Sequence, residues 1–550
     1  MTVRGAASIA LWLAGLLQPL ATSASASVPD PIVTTAEGPV RGTAEDGIRK
    51  FLGIPYAAPP IGPRRWRPPE APARRRGLLQ ATAFGPACPQ VTGLGVFAGP
   101  ASVTEDCLYL NVFAPVGGRP KPVLVWLHGG GHMAGASNDY DGSKLASGGP
   151  LGVPTVVVTI NSRLGLLGFL AHPALDGEGH AADNYGLMDV QQALRWVKAN
   201  IAAFGGDPNR VTVGGQSSGG GLAGALMLSP SNAGLFQGVI AESAPLSILP
   251  SRSLALGKGE KFAIAAGCDG APAAIARCLR DLPVPQILQL QGSVNGPGPY
   301  LVGPMVDGTL VPQPPMAAWA SGQFVRVPVM GGTVHDEGQF AIVINAYAKG
   351  GGAMTTDQVS AAIRTAYAGG DFPPGTGDRV LARYPVTPDA SPALAYGASL
   401  TGPLVCRPNK AMTAMARWVP VYAYEFQDAA APFYFPPLKG VRPLAAHTID
   451  LQFLFPRWHG GVLGINHRPQ DAASPGEIEG AEAQLSDRMV AFWTRFVATG
   501  DPNRAGDATW PAYNQSHAYL AEAVGALHMI SEAQFRADHE CDFWDTILAY

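Results

Sequence analysis

No single sign of charge dominates this 550-residue chain: 38 Lys and Arg stand against 41 Asp and Glu, a formal net charge of −3. That leaves no basic field for nucleic acid or for an anionic membrane surface, and electrostatics name no partner. Internal repeats and runs of like charge are absent. The six cysteines, Cys88, Cys107, Cys268, Cys278, Cys406 and Cys541, include no C-x-x-C pair, which argues against zinc-ribbon or thioredoxin-like chemistry. Long hydrophobic runs are scarce. The one at the N-terminus, Ala6 to Leu20, falls short of the roughly 18–20 residues of a membrane span, and no second segment could cross a bilayer. It follows Arg4 and leads to small residues, with Ala24-Ser25-Ala26 as a cleavage site, so residues 1–26 are expected to be a signal peptide. A secreted or periplasmic location follows, where cysteines pair; neighbour-to-neighbour pairing is the simplest scheme. Oligomeric state is not legible in the sequence.

What is present reads as one α/β unit over residues 27–550. The 68 Gly and 51 Pro are scattered, as many tight connections require, and no boundary stands out. Val123 to Leu127, Thr155 to Ile160, Val211 to Val213, Gly238 to Ala241, Val327 to Met330 and Val421 to Phe426 are short apolar runs. Their non-alternating character fits strands covered on both faces. Between two of them, Leu187, Val190, Leu194, Val197, Ile201 and Phe204 share one face of a helix, which Gly205-Gly206-Asp207-Pro208 should stop. A second amphipathic helix is expected near Ile478 to Val497. The expected fold is a mostly parallel central sheet with helices on both faces.

Gly215-Gln216-Ser217-Ser218-Gly219 has the form of a nucleophile elbow. In a chain this rich in glycine the pattern alone is weak. Its setting strengthens it, because Val211-Thr212-Val213 reads as a strand before it and Gly220 to Leu228 as a helix after it. So sharp a strand-to-helix turn needs glycines where side chains would collide. A phosphate-binding loop is the competing interpretation, and no Gly-Lys-Ser/Thr follows to support it. His128-Gly129-Gly130-Gly131 ends another expected strand, where side-chain-free backbone can aim N–H groups at a developing oxyanion, joined by the N–H of Ser218. In this kind of site an acid and then a histidine follow the serine along the chain. Glu337 and Asp336 both lie just past an expected strand. Six histidines come later: His447, His459, His467, His517, His528 and His539. Position alone does not choose among them.

With these residues assembled, the chain closely resembles the type-B carboxylesterase/lipase family, the α/β-hydrolases that include the cholinesterases, from about Gly38 to Trp544. The likeness rests on Phe51-Leu52-Gly53-Ile54-Pro55-Tyr56-Ala57, Arg65-Trp66-Arg67-Pro68-Pro69 and Glu105-Asp106-Cys107-Leu108-Tyr109-Leu110-Asn111-Val112. It continues through Asn161-Ser162-Arg163-Leu164-Gly165, the Phe204 to Val213 stretch leading into the elbow, Thr499-Gly500-Asp501-Pro502-Asn503 and Trp510-Pro511. The resemblance implies an α/β-hydrolase fold and a serine carboxylesterase acting on small-molecule esters through an acyl-enzyme, with no metal or organic cofactor. It implies Ser217, Glu337 and His447 as the triad and Gly130, Gly131 and Ser218 as oxyanion donors. Ser243 would be a serine supporting the Glu-His pair. The implied disulfides are Cys88–Cys107, Cys268–Cys278 and Cys406–Cys541. An interfacial lipase on long-chain esters is the alternative within enzymes, and a non-catalytic binding or adhesion protein the alternative outside them; the persisting triad argues against the latter.

Three departures from the family stand out. Gln216 occupies the elbow position that usually carries Glu, which bears on the base's pKa. Ser218 stands where Ala is common. The stretch between Cys88 and Cys107 is short and lacks the Trp on which cholinesterases bind a quaternary ammonium by cation–π attraction, so choline esters fit poorly. So short a loop also argues against the large mobile lid of interfacial lipases. Tyr300 and, by the resemblance, Phe340 are candidate pocket-lining residues, with a place in the core the equal alternative for either.

Overall fold

The computed structural model describes residues 30–91, 101–180, 183–295, 302–348, 354–369, 372–386, 391–435, 438, 440–456, 458, 467–468, 471–504, 510–525 and 527–548. The expected signal peptide and Tyr300 lie outside them.

An eleven-stranded sheet organises the chain. Its strands are β1 (Thr43–Glu45), β2 (Ile48–Pro55), β3 (Tyr109–Pro115), β4 (Lys121–Leu127), β5 (Val156–Ile160), β6 (Gly206–Gln216), β7 (Gly238–Glu242), β8 (Val329–Val334), β9 (Val421–Phe426), β10 (Ala518–Glu522) and β11 (His528–Ser531). Across the sheet they run β11-β10-β9-β8-β7-β6-β4-β5-β3-β2-β1. From β5 to β10 the neighbours are parallel, with antiparallel strands at both edges. The fold is that of an α/β-hydrolase. Strands β5, β7, β8 and β9 are buried along their whole length, which explains their near-continuous Val, Ile, Ala and Tyr content.

All six expected strands and both expected helices form. The helix with the six-residue apolar face spans Tyr185–Asn200 and tightens into a 3-10 turn over Ile201–Phe204. Leu187, Val190, Leu194, Val197, Ile201 and Phe204 are all buried. Gly205 then takes φ 87°, the left-handed conformation that stops a helix. The second helix is Gly480–Thr499, capped by Gly500 at φ 76°. β8 runs on past Met330 through Gly331-Gly332, paired in register with Ala423 and Tyr424 of β9, and glycine is required at 332 because a Cβ there would stand 2.4 Å from the Tyr424 ring.

Chain order places the site. From β4 the chain crosses to β5 on one side; β6 then returns to the other side of β4 and leads on to β7. The carboxyl ends of β4 and β6 therefore flank a topological switch point, where open α/β sheets form a crevice. His128-Gly129-Gly130-Gly131 follows β4, and Ser217 follows β6.

Several family-like motifs turn out to be braces. Arg163 forms a buried pair with Asp189 through Nε (2.8 Å) and Nη2 (2.7 Å). Arg65 grips Glu105 through Nε (2.7 Å) and Nη2 (2.6 Å). Asn161 Oδ1 accepts the Ser137 N–H at 2.8 Å. Such bidentate charge-assisted bonds fix loop geometry well. The six cysteines form the implied disulfides Cys88–Cys107, Cys268–Cys278 and Cys406–Cys541. Among the described residues no helix is long and apolar enough to cross a membrane.

Candidate active site

Ser217 sits at the apex of the turn from β6 into the helix Ser218–Leu228, at φ 56° and ψ −126°. A non-glycine residue at positive φ is strained, and such strain persists only where the surroundings enforce it. Here they do. The Ser217 N–H donates to Glu242 O at 2.8 Å, and Ser217 O accepts the Gly221 N–H at 2.9 Å. The flanking glycines are sterically required: a Cβ at Gly215 would lie 2.6 Å from Leu127 O, and one at Gly219 2.1 Å from the same oxygen.

The turn after β4 faces this elbow. Gly130 and Gly131 hold φ 114° and 65°. Gly130 O accepts the N–H groups of Met133 and Ala134, each at 3.1 Å, which closes the turn. Among the described residues the N–H groups of Gly130, Gly131 and Ser218 have no protein acceptor, so all three remain available. Burial pushes His128 below the ordinary histidine value and His132 down to about 3, which disfavours the charged form of both beside the turn.

The histidine is chosen by geometry. His447 Nδ1 lies 2.5 Å from Glu337 Oε2. Glu337 is buried just after β8, and its Oε1 accepts the Val334 N–H at 3.1 Å, which fixes the carboxylate. Asp336, the rival acid, is used otherwise: its Oδ2 accepts the Ala445 N–H at 3.2 Å and lies 3.3 Å from His335 Nδ1. Burial acts to lower the His447 pKa, but the adjacent Glu337 carboxylate outweighs it and holds the pKa above the usual histidine value. Of the other late histidines, His539 contacts Glu425, and His517 and His528 are exposed. His459 and the side chain of His467 lie outside the described residues.

The far side of the imidazole holds an unexpected contact. His447 Nε2 meets Gln216 Nε2 at 3.1 Å, and no hydrogen bond joins it to Ser217 Oγ. With Nδ1–H given to Glu337, Nε2 carries the lone pair that the Gln216 amide donates to. Ser243, the expected supporting serine, stands at the end of the neighbouring strand. It follows β7 at φ 46°, and its N–H donates to Gly332 O at 2.8 Å. Its buried hydroxyl makes no hydrogen bond to Glu337 or His447. Phe340 stands against His447 with ring centroids 5.6 Å apart.

One residue of this neighbourhood was not foreseen. Asp450 is fully buried three positions after His447, and burial, reinforced by Glu337, pushes its carboxyl up to about 7. The sequence carries it only within Ala446-His447-Thr448-Ile449-Asp450-Leu451, a run that resembles the family's histidine loop and implies a role for His447 but none for Asp450.

Comparison with known proteins places the chain among esterases. The carboxylesterase family profile matches residues 29–544. Para-nitrobenzyl esterase of Bacillus subtilis is 34% identical over 88% of this chain and 93% of its own length. Acylcarnitine hydrolase of Mus musculus is 32% identical over 92% of this chain and 90% of its own. A solved structure of PNB esterase aligns with a TM-score of 0.73 at 30% identity, covering 93% of this chain and 100% of that one.

Proposed function

Since this chain belongs to the carboxylesterase family and is a carboxylic ester hydrolase, we propose that its chemistry runs through Ser217, with His447 as base and Glu337 as the group that orients it. The observation that carries this reading is the 2.5 Å Glu337–His447 contact beside a strained elbow serine. Glu337 fixes the imidazole with Nε2 toward the elbow. His447 takes the Ser217 proton as Oγ attacks the ester carbonyl, and Glu337 stabilises the imidazolium. The N–H groups of Gly130, Gly131 and Ser218 receive the oxyanion; losing one donor of this kind costs about 3–4 kcal/mol of barrier. The alcohol leaves with the proton from His447, and water then releases the acid from the acyl-enzyme.

For Ser217 to engage Nε2, the Gln216 amide has to give up its place, because that nitrogen has one lone pair. Gln216 is therefore a positioning residue that sets the resting state of the base. Ser217→Ala should abolish ester turnover; wild-type turnover in that variant would overturn the assignment.

The substrate reading is a short to medium acyl ester, supported by the 19-residue separation of Cys88 and Cys107. In an acyl-chain panel the rate should peak below about ten carbons. A rate that keeps climbing beyond that, and jumps above the micelle concentration, would favour an interfacial lipase. Secretion or a periplasmic location after removal of residues 1–26, and a single domain over 27–550, belong to the same proposal. The three disulfides are compatible with that compartment.

A further inference from the structure

Behind the turn that carries Glu337, three side chains from distant parts of the chain converge. His335 directly follows β8, Glu425 lies on β9, and His539 follows the helix Glu532–Asp538. One ligand-capable atom from each lies within 4.8 Å of the other two. His539 Nε2 contacts Glu425 Oε1, and the rings of His335 and His539 are 5.1 Å apart at 56°. Glu425 and His539 are buried, while the His335 side chain is 39% exposed, so the cluster has a route to solvent.

We propose that His335, Glu425 and His539 form a binding site for a divalent transition cation of the zinc class. Two imidazoles and one carboxylate suit zinc, whereas calcium and magnesium favour all-oxygen shells. Three protein ligands leave a fourth position for water, reached from the His335 side. The outer contacts also fit. Asp336 Oδ2 lies 3.3 Å from His335 Nδ1, which directs Nε2 to the cation, and Gln427 Nε2 donates to Glu425 Oε2 at 2.5 Å. Carboxylates and amides in such places hold metal ligands in orientation.

The position gives the site a structural consequence. The His335 N–H donates to Phe426 O at 2.9 Å and the Asp336 N–H to Ala445 O at 2.9 Å. Glu337 and His447 lie one and two residues beyond Asp336 and Ala445. A cation here would tie the turn bearing Glu337 to β9 and to the C-terminal segment held by Cys406–Cys541. No local spacing could reveal it, because the ligands span about two hundred residues of chain.

The test uses the full chain stripped with a chelator and dialysed against zinc chloride, with magnesium chloride in parallel. Wild-type protein should retain one zinc per chain and melt at a higher temperature with zinc but not with magnesium. His335→Ala should weaken zinc binding more than tenfold and lose the melting shift, whereas the exposed-edge variant His528→Ala should behave as wild type. Cobalt(II) chloride should give visible absorption bands of four-coordinate geometry in the wild type, a readout that does not depend on any variant folding. Equal zinc retention in wild type and His335→Ala, or no zinc retention and no cobalt bands in the wild type, would overturn the site. The assignment of Ser217, Glu337 and His447 does not depend on either result.

Discussion

At the scale of single residues, Gln216 is the most informative side chain. Its amide sits 3.1 Å from His447 Nε2, at the elbow position where the family resemblance leads one to expect Glu. A carboxylate there would favour the imidazolium, as Glu337 and Asp450 already do. The base must be neutral to accept the serine proton, so kcat/KM falls as His447 protonates at low pH. Gln216→Glu should therefore move the acid limb of the pH–kcat/KM profile to higher pH, by about 1–3 units. An unmoved or lowered limb would contradict the contact. The sequence marked Gln216 as unusual, but not what it touches: that depends on the rotamer of a residue packed against Gly129, where a Cβ would meet Gln216 Oε1 at 2.9 Å. Asp450 was illegible for a similar reason, since burial is decided by the whole core. Ser243 lies after β7, as the likeness implies, and its buried hydroxyl makes no direct hydrogen bond to the pair.

At the scale of elements, legibility follows periodicity. The helix Tyr185–Asn200 and strand β9 could be read directly, because apolar spacing matches burial there. The edge strands β1 and β11 could not, since they are three and four residues long and partly exposed. The elbow is an element-scale device: β6, a one-residue turn and the helix Ser218–Leu228 are joined where backbone nearly touches backbone. Gly219→Ala places a methyl 2.1 Å from Leu127 O, a contact that only a shift of the main chain can relieve. We expect destabilisation of about 1–3 kcal/mol or more, and a fall in kcat as Ser218 N–H moves from its aim. Urea unfolding and kcat on a simple ester measure both. An alanine variant with unchanged stability and turnover would show that the turn tolerates a side chain.

At the scale of the whole molecule, the switch point between β4 and β6 unites residues separated by some ninety positions, and the crossing to β8 and β9 brings Glu337 and His447. Sequence order implied that arrangement only through likeness to a family; spacing alone left Asp336 and six histidines open. The same holds for Cys406–Cys541, separated by 135 residues and buried beside Trp544. Closing so long a loop stabilises by about 5 kcal/mol in the chain-entropy model, and native bridges typically contribute about 2–5 kcal/mol. Replacing both cysteines by alanine should lower the melting temperature markedly, as thermal unfolding would show. An unchanged melting temperature would mean that packing of the C-terminal helices alone secures them.

Ser217 as the nucleophile is the claim on which the proposed chemistry rests. The most direct measurement is to inactivate the enzyme with an organophosphate and locate the adduct by peptide mass spectrometry. The prediction is one adduct per chain on Ser217, formed in step with loss of esterase activity, and no adduct in Ser217→Ala. An adduct on a different serine that tracks the loss of activity, with Ser217 unmodified, would contradict it.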